Sequence, residues 1–179
     1  LSRAESAPPT PHTPSKEPSV TDTMSQTPTI PYTLERLGVI MRPDPSDPRE
    51  VEGVLNPATA WGPDGRLHLY PRLVAEGDIS RVVIADVEVT DGVPTGVTRR
   101  GVVLEADRAW ERGTGHGGVE DPRITWIPSL DTHVMTYVAF GPLGPKPALA
   151  ISSDGQEWTR LGPLQFAYED ALDTDLNLF

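Results

Sequence analysis

One pattern occurs twice in this chain and limits what it can fold into. Strand-like runs at 54–61, 66–70, 81–89 and 97–104 are followed by a second set at 121–127, 133–140, 148–152 and 157–161. Arg66-Leu-His-Leu-Tyr70 alternates polar and apolar residues, as a half-buried strand should. The turn residues repeat as well. Asn56-Pro57 aligns with Asp121-Pro122, and Asp91-Gly92 with Asp154-Gly155, a period of about 64 residues. Two sets of four short antiparallel strands, with almost no helix signal, predict an all-β chain built from propeller blades. A β-sandwich is the competing arrangement. The x-Pro dipeptide at the head of both first strands decides for the propeller. There the first strands line a central channel, and both would present their side chains to one axis.

The flanks have a different character. Residues 1–29 are rich in Pro, Ser and Thr and poor in large apolar side chains, so ordering them would cost more entropy than burial returns. They are expected to be a disordered tail, with Met24 as the natural start. The Pro-x-x-Pro spacing at Pro8, Pro11 and Pro14 is what any proline-rich tail shows. Residues 30–179 are assigned to the propeller domain, entered through a proline-broken loop at 42–49. The last stretch, 172–179, reads as the opening of a third blade. Two blades and a start cannot close a ring, so the chain is expected to be the N-terminal part of a longer protein.

Charge narrows the partners. A formal net charge of −11 argues against binding nucleic acid through its phosphates and against an anionic membrane surface. The absence of cysteine excludes disulfides and thiolate metal sites. No apolar run approaches the roughly 18 residues of a membrane helix, and a cytoplasmic location is the default expectation.

Candidate chemistry concentrates in Gly117-Gly118-Val119-Glu120-Asp121-Pro122-Arg123. Proline restricts the residue before it toward extended geometry, which would fix the direction of the Asp121 side chain. The glycines permit a sharp turn or a close backbone approach. A rigidly held carboxylate with a guanidinium two residues on is suited to general-acid chemistry; a surface turn with a local ion pair is the plain alternative. On simple strand alternation Arg123 shares a face with Asp121 and orients it, while Glu120 points to the opposite face as a structural residue. His116 reads as a solvated loop residue, and His68 and His133 as packing or surface residues. No cluster has metal-ligand spacing, and no cofactor is expected. Trp61, Trp126 and Trp158 fall in strand patterns and are expected to be buried between blades. Trp110, in the loop before the motif, is the one tryptophan placed to meet a ligand.

From Asn56 onward the sequence resembles glycoside hydrolase family 130, the β-mannoside phosphorylases and related mannosidases. The resemblance rests on Asn56-Pro57-Ala58, Leu69-Tyr70-Pro71-Arg72, Ser80, Gly118-Val-Glu-Asp-Pro-Arg123, Met135-Thr-Tyr-Val-Ala139 and Ala148-Leu-Ala-Ile-Ser152 with Trp158 after it. It implies a five-bladed β-propeller, of which this chain would hold about two blades plus the start of a third. It also implies that Asp121 is the general acid, acting through a hydroxyl of the mannosyl unit while inorganic phosphate attacks the anomeric carbon with inversion to give α-mannose 1-phosphate. Asn56 and Arg72 match positions that bind the sugar, and Arg123 binds substrate or orients Asp121. The implied partners are a β-mannoside and phosphate, and an oligomer is compatible with the family. The family often carries Asn-Lys-Asp where this chain has Asp173-Thr174-Asp175, which favours the hydrolase alternative. A non-catalytic carbohydrate-binding or truncated fragment is the reading from a different class.

Overall fold

A computed structural model describes residues 33–165. The chain divides into two compact units between Arg36 and Leu37. In the first, residues 33–36 are described and form no regular element. Among the described residues, the unit from Leu37 contains eight strands: β1 (Gly53–Trp61), β2 (Leu67–Ala75), β3 (Ile79–Thr90), β4 (Val93–Glu105), β5 (Gly117–Ile127), β6 (Thr132–Gly141), β7 (Gly144–Ser152) and β8 (Thr159–Pro163). Each predicted run overlaps an observed strand; most are longer at one or both ends, and the last, expected at 157–161, is shifted to Thr159–Pro163. The tail assigned to 1–29 and the third-blade opening at 172–179 lie outside the described residues.

β1 to β4 form one antiparallel meander and β5 to β8 another, each pairing in chain order. These are two four-stranded blades of the propeller type. Their connections follow local chemistry. Asp91 and Gly92 both adopt positive φ, 52° and 79°, which matches the two-residue hairpin between β3 and β4. The blades join where β3 and β5 run parallel, Ile79 opposite Gly117 and Ser80 opposite Gly118. Gly117 and Gly118 have φ of 98° and 118°, and a Cβ on either would run into the carbonyls of Phe140 and Ser80. The close approach these glycines allow is therefore between strands.

The core lies between the blades. Tyr70, Val82, Ile84 and Leu104 of the first blade face Val119, Met135, Tyr137, Ala139, Ala148 and Ala150 of the second. β6 alternates strictly, with His133, Met135, Tyr137, Ala139 and Gly141 buried, because one face of it meets the neighbouring blade. The alanines bring the sheets close and the tyrosines fill what remains. Tyr70 Oη donates to the Gly155 carbonyl at 3.0 Å, so a blade-one side chain satisfies its hydroxyl on a blade-two turn. Burial pushes that hydroxyl up to about 12.

The loop from β4 to β5 is tied down by Glu111, which is fully buried. Its carboxylate accepts from Arg160 Nε at 2.8 Å, Tyr137 Oη at 2.8 Å, and the Asp107 and Arg108 amides at 3.0 Å. Burial is the largest influence and pushes the carboxyl up, but these four donors outweigh it and leave the group below its ordinary value of 4.5. A depressed carboxylate stabilises fully above its unfolded value and loses that contribution as pH falls through the folded one. Glu111→Ala is expected to lower unfolding free energy by roughly 3 kcal/mol in denaturant titration at pH 7, since it strands a buried guanidinium. The deficit of Glu111→Gln relative to wild type should shrink as pH drops below 4.5. A loss that stays constant between pH 7 and pH 3 would contradict the ionic anchor.

Candidate active site

The two x-Pro dipeptides fold alike. Asn56 and Asp121 both take left-handed backbone conformations, with φ of 45° and 48°. Each lies at a register break in the first strand of its blade: between Leu55 and Ala58 against β2, and between Glu120 and Arg123 against β6. The expected extended geometry before proline is thus replaced by a bulge, in which a short polar side chain tolerates the left-handed region better than most. Such a bulge re-aims the residue it contains. The result is that Asn56 and Asp121 turn toward each other, and Asn56 Nδ2 donates to Asp121 Oδ1 at 2.9 Å.

Arg72, on β2, completes the arrangement. Its side chain is only 12% exposed. Nε donates to Ser80 Oγ at 2.9 Å, Nη1 to Asp121 Oδ1 at 3.3 Å, and Nη2 lies 3.2 Å from Asp78 Oδ1 and 3.1 Å from Glu120 Oε1. Asp78 is itself held by its turn, where Glu52 accepts from the Gly77 and Asp78 amides at 2.9 and 3.1 Å. One guanidinium therefore serves three carboxylates. Arg72 and Asn56 both donate to Oδ1 of Asp121; Oδ2 has no hydrogen-bond partner among the described residues, and the side chain is one-third exposed.

The bulge overturns two expectations. Because one residue of β6 faces both Asp121 and Pro122, the alternation of β5 slips by one. Glu120 accordingly joins the Arg72 cluster and is buried, where simple alternation sends it to the other face. Arg123 loses its place beside Asp121. Its Nη1 donates to the Pro122 carbonyl at 2.7 Å and lies 3.5 Å from the Asn56 carbonyl, so it ties one bulge to the other and leaves orientation of the acid to Arg72 and Asn56. Asn56, Arg72 and Asp121 are brought together as expected. Glu120 and Asp78 were missed, and the sequence signal that could have found them is the x-Pro in a strand interior, where proline is confined to edges and bulges.

Glu120 sits in the least favourable surroundings of the cluster. Burial, the largest influence, pushes its carboxyl up; Arg72 opposes this, while Asp78 and Asp121 add to it. The contact with Arg72 is short, but Oε1 has no aligned donor.

The other candidates lie elsewhere. His68 and His133 are buried, as packing residues would be; His68 Nδ1 is 2.9 Å from Asp86 and His133 Nε2 meets the Trp61 carbonyl at 3.0 Å. His116 is exposed on its loop. Trp61 and Trp126 are not buried between blades: they are 66% and 41% exposed and line an open hollow with Ile124 and His133 at the far ends of β1 and β5. Neither tryptophan is an interior strand residue, because each stands at or next to the strand end. Trp158 does pack on the core, edge-on to Tyr70. Trp110 stands in the β4–β5 loop, partly exposed, with its backbone against Gly141.

Comparison with known proteins finds this fold in glycoside hydrolases. No family model and no curated protein matches the chain. Solved structures do. A candidate glycoside hydrolase from Parabacteroides distasonis is 26% identical with a TM-score of 0.57, over 69% of this chain and 39% of that one. A glycosyl hydrolase from Bacteroides ovatus is 24% identical with a TM-score of 0.58, over 73% and 40%. The particular fold is shared with a structure from the GH130 family of mannoside phosphorylases, which contains glycoside hydrolases targeting β-1,2 mannosidic linkages in Candida mannan; it is 22% identical with a TM-score of 0.55, over 77% and 45%. The chain spans about two-fifths of the length of these proteins.

A carboxyl whose folded value is raised favours the folded state below its unfolded value, and this advantage is lost as pH rises through the folded one. Glu120→Gln should therefore unfold at a temperature equal to or above that of wild type at pH 7.5, with no gain at pH 4. A clear loss of melting temperature at pH 7.5 would contradict this reading of the site.

Proposed function

We propose that the protein is a glycan-active enzyme that cleaves β-mannosides with inversion, using Asp121 as general acid and inorganic phosphate as the acceptor. The observation that carries this reading is the placement of Asp121: a half-open carboxyl held on one oxygen by Asn56 and Arg72, where the first strands of two blades meet. The likeness to a glycoside hydrolase structure supports a glycan-active role, the coarser part of this reading.

In this mechanism the protonated carboxyl of Asp121 gives its proton, through a sugar hydroxyl, to the departing oxygen. Phosphate attacks the anomeric carbon from the opposite face, which requires space between acid and nucleophile. Asn56 and Arg72 fix the acid and offer donors to the mannosyl hydroxyls. Arg123 keeps the two bulges in register, so that Asn56 and Asp121 stay within bonding distance.

A second reading, hydrolysis with water as acceptor, is favoured by one feature. Arg72 is already shared by three carboxylates, which gives the local field an excess of negative charge and leaves phosphate dependent on cations elsewhere. The experiment that tests both is incubation of the full-length protein with β-1,2- or β-1,4-mannobiose, with and without phosphate. Mannose 1-phosphate formed only with phosphate is the expected result; free mannose in both conditions establishes hydrolysis. Asp121→Asn should reduce kcat/KM by roughly a hundredfold to ten-thousandfold, the usual contribution of a general acid. Near-normal activity in that variant would remove the assignment.

A further inference from the structure

The repeat that equates Asn56 with Asp121 carries a second pair. Trp61 follows Asn56 on β1 at the same interval at which Trp126 follows Asp121 on β5. Both stand toward the far ends of their strands, roughly 16 Å along the chain from Asn56 and Asp121 at about 3.3 Å per residue. A tryptophan repeated for packing should be buried, and these two are not. One exposed tryptophan is ordinary on a protein surface. Two at the same blade position, lining one hollow of about 760 Å³, give it large aromatic walls and a size suited to a small ligand.

The polar groups around the tryptophans are chiefly acceptors and hydroxyls. His133 is only 3% exposed and lines the hollow, its ring 4.6 Å from that of Trp126. Nε2 meets the Trp61 carbonyl at 3.0 Å, so in the neutral ring that nitrogen carries the hydrogen and Nδ1 is an acceptor. Nδ1 is buried and has no hydrogen-bond partner among the described residues, a deficit that folded proteins seldom carry without a use. Asp131 adds a carboxylate, and Thr59 and Thr125 add hydroxyls on exposed residues. Among the described residues no lysine or arginine lines the hollow, which leaves an anion without a counter-charge there. Flat aromatic faces beside acceptors suit a neutral polyol. Its C–H faces cover the rings while its hydroxyls donate to groups such as Asp131 and His133.

We propose that the hollow between Trp61 and Trp126 is a second saccharide site, which holds a neutral stretch of an extended glycan away from the bond that is cut. This rests on the reading of the protein as glycan-active and is independent of the role of Asp121. The site retains longer substrates; it takes no part in bond cleavage.

The test places Trp61→Ala and Trp126→Ala separately in the full-length protein. Calorimetric titration then follows a thio-linked β-mannohexaose, which resists cleavage. Each variant should weaken its binding by roughly tenfold, the scale of losing one buried aromatic face. Trp126→Phe, which keeps a flat ring, should recover most of that loss. kcat/KM on mannobiose, which fills only the site at Asp121, should stay within about twofold of wild type in all three. Unchanged hexaose binding in both alanine variants overturns the proposal. Binding of tetramethylammonium that is lost in the same variants also overturns it and assigns the hollow to a cation. A fall in mannobiose turnover equal to the loss of hexaose affinity makes the hollow part of the catalytic site and removes its separate role. A wild-type protein that cleaves mannobiose but binds no hexaose overturns this proposal alone; one that does neither removes the glycan-active reading with it.

Discussion

A single guanidinium organises the site. Arg72 comes from the second strand of the first blade, and its donors reach a serine on the third strand, an acid on the turn between them, and two acids on the first strand of the next blade. Nothing else described in the molecule links so many elements at one point. Because the group is nearly buried, each of these contacts acts in a medium of lower dielectric than water, where charge pairs are strong and unpaired charges are costly. The blades are therefore joined at this end by electrostatics and, deeper in, by apolar packing of tyrosine, methionine and alanine.

The second constraint is the backbone. Asn56 and Asp121 are the same position in successive blades, and both occupy a conformation that costs a non-glycine residue of order 1 kcal/mol or more. Proline follows each, removing a donor from a ladder that the bulge has already broken. Strain of this kind persists where the surrounding structure over-determines it, and it clusters at functional sites. What it achieves here is geometric. Two side chains that regular strands would carry past each other instead converge on one carboxylate oxygen.

Much of this was legible in the sequence. Strand order, both hairpin turns and the equivalence of Asn56 with Asp121 follow from the repeat, because period-two patterning and Asp-Gly turns are local signals. The meeting of Asn56 and Asp121 also followed, from the rule that first strands share an axis, whereas Arg72, on a second strand, entered only through the family resemblance. What did not follow was the face each residue takes within β5. Simple alternation places Arg123 with Asp121 and sends Glu120 away, and a one-residue bulge reverses both, as any register slip must. Nor could patterning foresee that Trp61 and Trp126 stand exposed at strand ends, since propensity marks them as strand residues without saying where the strand leaves its neighbour.

The proposed chemistry requires a mannosyl unit over the carboxyl of Asp121, at the junction of the two first strands. The most direct measurement is a crystal structure of the full-length Asp121→Asn variant soaked with β-mannobiose. The expected result is a sugar ring with a hydroxyl within hydrogen-bond distance of the residue 121 side chain and further contacts to Asn56 and Arg72. A sugar found only in the hollow between Trp61 and Trp126, with the Arg72 cluster bare, would contradict it.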